Sequence, residues 1–244
     1  MAPTITSISR LQAQRALSSS DLRSISLHAA LLGDAERDEL ETTIRLDVQS
    51  EFDARFLAEY LTEQSWEMSS AMATAIEQWL VDEELHKSLF LQVHEAAFPD
   101  RIADLRKDLL QRDRGVTFEP LKHLMRDEFE VLCLLAYDEL ATVKAYQVLI
   151  PQYMQLGPSM EPVLKLVIRD EGRHYATFAH MLRKRHANRL AETPALIERI
   201  RASEGTPYAN TFVLDHDYGI WTESIFDRSV SQLKRALGQS RTSA

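Results

Sequence analysis

Asp82-Glu83-Glu84-Leu85-His86 and Asp170-Glu171-Gly172-Arg173-His174 write one pattern twice: an Asp, then a Glu, then a His three residues after that Glu. On a helix, residues three apart share a face, so each Glu and His would point the same way. Thirty-two residues before each Glu stands another, Glu51 before Glu83 and Glu139 before Glu171. Four carboxylates and two imidazoles in this duplicated arrangement make the ligand set of a carboxylate-bridged di-metal site inside a four-helix bundle. Glu51, Glu83, His86, Glu139, Glu171 and His174 are the candidate ligands.

Chance accounts for the short motif but not for its context. With this chain's Glu and His content, Glu-x-x-His is expected roughly 0.7 times, whereas the matched Glu offset and the preceding Asp coincide at roughly 0.6%. The spacing is also geometric. Two antiparallel helices bring residues level only when both lie equally far from the connecting turn, and the midpoints fall at 67 and 155. Near the second lies Leu156-Gly157-Pro158-Ser159, a Gly-Pro breaker followed by a residue able to cap a new helix. Near the first lies Gln64-Ser65-Trp66-Glu67-Met68-Ser69-Ser70, a weaker signal. Each ligand would stand roughly 24 Å from its turn, deep in the bundle.

The 244 residues contain 7 Gly and 8 Pro, and none of either between Asp34 and Phe98, which favours long helices over sheet. Helices are expected at Asp34 to about Gln64, Glu67 to Ala97, Asp100 to Gln111, Phe118 to Tyr153, Ser159 to His186, Pro194 to Ala202 and Ile220 to Leu237. Gly115 would break the chain before a Thr117 cap, and Pro151 would end or bend its helix. The fold class is therefore all-α, a four-helix bundle with flanking helices. Residues 1–33 would form an N-terminal arm, 34–190 the bundle, and 191–244 helices and a tail packed on it, with the stretch Ser203 to Gly219 crossing the bundle or covering its mouth.

A single Cys133 excludes an internal disulfide and a thiolate-rich metal site built from one chain. No stretch of eighteen apolar residues and no leader pattern appears, so a cytoplasmic location with no membrane span is expected. A net charge of −9 argues against a nucleic-acid partner. Two basic clusters, Arg101, Arg106, Lys107, Arg112 and Arg114, and Arg183, Lys184, Arg185, His186 and Arg189, read either as solvated helix faces or as docking surfaces for an acidic partner.

An oxygen-rich set with one imidazole per metal suits iron or manganese. Two iron ions are the expected cofactor, with a manganese–iron pair as the alternative. Asp82 and Asp170 are placed to accept the imidazole N–H of the opposite pair, with ordinary helix-face acids as the alternative. His94 and His180 are read as ordinary core or surface histidines.

The chain resembles the ferritin-like non-haem di-iron oxygenases, and among them the soluble acyl-carrier-protein desaturases. Trp79 four residues before Glu83, the run Glu139-Leu140-Ala141-Thr142 and the run Asp170-Glu171-x-Arg173-His174 carry that resemblance, over about residues 36 to 186. It implies a ferritin-like fold, a Trp79 that supports the ligands from outside, and a Thr142 beside the oxygen-binding position as a catalytic residue steering protons. A Thr142 hydroxyl bonded back to its own helix is the plainer alternative. Related families depart from this chain: Phe90 stands where reductase radical subunits carry Tyr, and Val167 where aryl-amine N-oxygenases carry an extra His.

The expected function is O2-dependent hydroxylation or desaturation of an unactivated C–H bond in an apolar substrate, free or carrier-bound. A ferredoxin or reductase would supply two electrons per turnover. The alternatives are a ferroxidase or peroxide scavenger with no organic substrate, an N-oxygenase of the same fold, and a bundle holding structural metal only. Homodimer pairing through the Ile220 to Leu237 face is carried as a further expectation.

Overall fold

In the computed structural model, residues 17–112, 117–205, 212–216 and 219–238 are described. The chain forms α1 (Ser19–Ala29), α2 (Asp34–Thr62), α3 (Ser70–Ala97), α4 (Ile102–Gln111), α5 (Glu128–Tyr153), α6 (Met160–Arg185), α7 (Thr193–Ala202) and α8 (Glu223–Gly238), with 3-10 turns at Glu119–Leu124, Met154–Leu156 and Ala187–Glu192. Helices α2 and α3 form one hairpin and α5 and α6 the other, and the hairpins meet along α3 and α6. Among the described residues no helix is long and apolar enough to cross a membrane.

Local chemistry sets the helix ends. Gly33 N donates to Glu36 at 3.0 Å at the start of α2, and the Ser69 hydroxyl accepts from Met72 N at 3.2 Å at the start of α3. Helix α5 starts ten residues later than the Phe118 expectation, because Asp127 takes an extended conformation and its carboxylate accepts from Glu130 N at 3.0 Å. The preceding stretch forms the 3-10 turn instead. Pro151 lies so near the end of α5 that the helix runs on to Tyr153. Ser159 precedes α6 but does not cap it with its side chain, and donates instead to Asp21 Oδ1 at 3.1 Å.

That bond helps to seat α1, the described part of the N-terminal arm, on α3 and on the turn at Met154–Leu156. Gly157 turns the chain with φ +90°, and a Cβ there would stand 2.6 Å from the His28 ring of α1. The position accepts only glycine without strain.

The buried apolar residues fall into two large clusters, and on α2, α3 and α6 the candidate ligands lie between them. On α2, Leu40, Ile44 and Val48 belong to one cluster and Ala54, Leu57 and Leu61 to the other, with Glu51 between. On α6, Val163, Leu164 and Val167 precede Glu171 and His174, and Phe178 and Leu182 follow. A polar layer is thus held between two apolar plugs, each of which excludes water.

Helix α5 is buried on all sides from Glu128 to Ala141, because α7 and α8 cover the face that the bundle leaves open. The apolar stripe of α8, with Ile225, Phe226, Leu233 and Leu237, is buried in that contact inside the chain. Cys133 is a core residue. Most of the described basic residues flagged by the sequence are paired within the chain: Arg101 with Asp38, Arg106 with Glu95, Arg112 with Asp53, Arg185 with Glu128 and Arg189 with Asp127. Gly115, Arg114 and the tail after Gly238 lie outside the described residues.

Candidate metal centre

Helix periodicity puts Glu51 on α2, Glu83 and His86 on α3, Glu139 on α5, and Glu171 and His174 on α6, all facing the bundle axis and each at most 6% exposed. They form two overlapping groups that could hold metal ions. Glu51, Glu83, His86 and Glu171 make one and Glu83, Glu139, Glu171 and His174 the other, with one potential ligand atom from every residue within 4.8 Å of the rest of its group. Glu83 and Glu171 are common to both. Glu171 turns Oε1 toward His86 Nδ1 at 3.1 Å and Oε2 toward His174 Nδ1 at 3.1 Å, as a carboxylate shared by two ions would.

The donor set fits a pair of cations. Glu51 Oε2, Glu83 Oε1 and both ring nitrogens of His86 are buried without a hydrogen-bond partner. Burying polar atoms unpaired is costly, and these are the groups a metal would satisfy. Carboxylate oxygens with one imidazole per group suit iron or manganese.

Charge in the metal-free cluster is shared unevenly. Burial, with Glu171, Glu51 and Glu139 close by, raises the Glu83 carboxyl well above the ordinary carboxylate range. Burial also raises Glu139, against the pull of His174. At Glu171 burial is outweighed by His86 and His174, which hold its pKa well below that range. Burial disfavours charge on the imidazoles, yet Glu171 and Glu51 raise His86, and Glu139 raises His174. The cluster therefore keeps protons that incoming cations must displace.

A ring of support surrounds the ligands. His174 Nε2 lies 3.2 Å from Asp82 Oδ2, and His86 Nε2 lies 3.6 Å from Asp170 Oδ2. Both aspartates therefore face the imidazole of the opposite pair, at hydrogen-bonding distance for Asp82 and slightly beyond it for Asp170. Arg173 reaches both of them, at 2.5 Å from Asp82 and 2.8 Å from Asp170. Trp79 Nε1 donates to Glu139 Oε1 at 2.7 Å. Thr142 lines the cavity beside the ligands, whereas Thr42 and Thr43 bond back to carbonyls one turn earlier. His94 is buried against Glu41 at 2.9 Å, and His180 is exposed.

Several neighbours were missed from the sequence. Tyr146 donates to Glu51 Oε1 at 2.9 Å; it stands seven residues after Glu139, on the same helix face, which is the signal that could have found it. Asp47, one turn before Glu51, accepts from Tyr153, and burial raises its carboxyl to about 8. Burial raises Asp138, next to Glu139, to about 6, with His216 working against it.

A cavity of about 40 Å³ opens on Glu51, Glu83, Glu139 and Glu171. One wall is the α5 stripe Asp138, Thr142, Ala145 and Leu149, and the roof is Phe212, Val213, His216, Ile220 and Trp221. Of the stretch from Ser203 to Gly219 that the sequence expects to cross the bundle or cover its mouth, Phe212, Val213 and His216 cover the cavity. Positions 206–211 and 217–218 lie outside the described residues.

No protein-family model matches the chain, and neither a curated protein nor a solved structure matches it. The fold and the site stand on their own geometry: an all-helical bundle with two overlapping, buried carboxylate and histidine groups able to bind metal ions.

Proposed function

We propose that this protein is an O2-dependent non-haem di-iron oxygenase of the ferritin-like kind, which hydroxylates or desaturates an unactivated C–H bond. The observation that supports the reading is the sharing of Glu83 and Glu171 between two ligand groups that open on one cavity. Two ferrous ions, when bound, would supply electrons to O2 and the oxidising power that C–H cleavage needs. Glu51, Glu83 and His86 with Glu171, and Glu139 and His174 with the same shared pair, would hold them.

The chain's own residues divide the remaining work. Asp82, Asp170 and Arg173 orient the imidazoles. Trp79 and Tyr146 fix one oxygen each of Glu139 and Glu51, which leaves the other oxygen directed at the cluster. Thr142 is the hydroxyl placed to hand on protons at the cavity wall, and the two apolar plugs keep bulk water from the oxidant. A ferredoxin or reductase is the proposed electron donor.

The second reading is a ferroxidase without an organic substrate, supported by the small volume of the cavity. Anaerobic loading with ferrous iron followed by an O2 pulse separates the two. The first reading expects about two irons per chain and O2 consumed in proportion to an organic product; the second expects O2 consumed in proportion to iron. Failure to bind iron overturns both.

A further inference from the structure

The wall of the cavity comes from two parts of the chain. The floor and the α5 stripe belong to the bundle, whereas Phe212, Val213, His216, Ile220 and Trp221 come from chain outside the four long helices. We propose that this roof decides which molecules reach the metals, limiting them to a few heavy atoms, and that Phe212 sets the limit. The inference rests on the di-metal reading above and names the class of ligand for that site.

Size carries the first part. A cavity of about 40 Å³ holds about three water-sized molecules, whereas an apolar cavity that takes up benzene measures about 150 Å³. O2 fits, and a long acyl chain does not. The carrier-bound substrate expected from the sequence would have to displace the roof.

The roof is also fastened. Leu214 N donates to Asp138 Oδ1 at 3.0 Å, and Gly205 N donates to Leu214 O at 2.9 Å. His216 Nδ1 lies 2.9 Å from Glu204, and its ring stacks on Trp221 at 3.7 Å. Val213 and Leu214 take φ values of 41° and 62°, a region unfavourable for a β-branched residue and held only where surrounding contacts fix it.

Phe212 is the member of the roof that meets the ligand sphere. Its ring packs against Trp79 at 5.4 Å, and Trp79 in turn holds Glu139. Truncating Phe212 lengthens the cavity toward a metal ligand without removing any of the hydrogen bonds that fasten the roof.

The test uses the full chain loaded anaerobically with ferrous iron, with nitric oxide and nitrosobenzene as uncharged probes of different size, read by visible absorption and by electron paramagnetic resonance. The wild type is expected to bind nitric oxide and to exclude nitrosobenzene. Phe212→Ala is expected to bind nitric oxide unchanged and to gain affinity for nitrosobenzene by about tenfold or more, with Phe212→Leu between. Equal acceptance of nitrosobenzene by wild type and variants overturns the size limit, as does a Phe212→Ala protein that loads iron and still excludes it. Loss of the nitric oxide signal in the wild type overturns the metal reading itself, and this inference with it.

Discussion

Glu51 and Glu139 hold equivalent places in the duplicated pattern, yet their surroundings differ. One oxygen of Glu51 is held by Tyr146, behind which Phe90 stacks at 5.7 Å and Asp47 meets Tyr153, all within the four long helices. One oxygen of Glu139 is held by Trp79, on which Phe212 rests, and its neighbour Asp138 anchors Leu214 of the roof. The first end is built into the bundle and the second is tied to the chain that closes the cavity. The ligands repeat because two cations would need the same donors, while the supports do not repeat because only the Glu139 end is tied to the roof.

The largest effects should come from the residues that belong to both ends. Glu83→Ala and Glu171→Ala are expected to leave less than one metal ion per chain, while Glu51→Ala and Glu139→Ala keep about one. Metal analysis after loading and desalting checks this. Equal losses in all four variants would break the division into a shared pair and two ends.

Next in size are the donors that distinguish the ends. Tyr146→Phe and Trp79→Phe each remove a hydrogen bond to a carboxylate, worth about 1.5–3 kcal/mol, and each should weaken one of the two metals by about 10–100-fold. Stepwise titration with cobalt shows whether a different step moves in each variant. If the same step moves in both, the two donors do not serve separate ends.

The tie to the roof is expected to appear in hydrogen exchange. Asp138→Ala leaves the buried Leu214 N–H without its acceptor, at a cost of about 1–3 kcal/mol, so exchange at Leu214 should quicken by about tenfold or more. Asp47→Ala, at the other end, should leave that amide unchanged. Quickening in both variants would mean that the roof responds to the whole ligand layer.

The smallest contrast is in pH dependence of the metal-free protein. Asp47 keeps its proton in the folded state up to about 8 and Asp138 up to about 6, whereas the unfolded chain releases both near 4. The folded state then binds more protons than the unfolded one, so stability falls as pH rises through each window. Asp47→Asn should flatten the fall between about 6 and 8, and Asp138→Asn should leave that upper part in place. Urea midpoints measured across this range decide the point.

Much of the bundle was legible because periodicity and breakers act locally. The absence of Gly and Pro from Asp34 to Phe98 marked two long helices, and Gly157 marked the second turn. The start of α5 was misplaced because Pro120 and Thr117 resemble a helix start, while the Asp127-x-x-Glu130 cap that begins the helix was not weighed. At the site, all six candidate ligands converge, since residues three and thirty-two apart on paired helices are brought level by helix geometry alone. Tyr146, Asp47, Phe212 and His216 were not found, because contacts across 95 residues, as between Tyr146 and Glu51, leave no local trace.

By itself, the sequence determined the helical class, the paired hairpins and the six residues that meet at their centre, because these follow from the helical repeat and from equal distances to a turn. The tertiary structure alone decided which carboxylates are shared, which aromatic donor holds each end, and how small a space the roof leaves. Those depend on how helices from distant parts of the chain rotate and pack against one another, and on where a segment with no periodicity comes to rest.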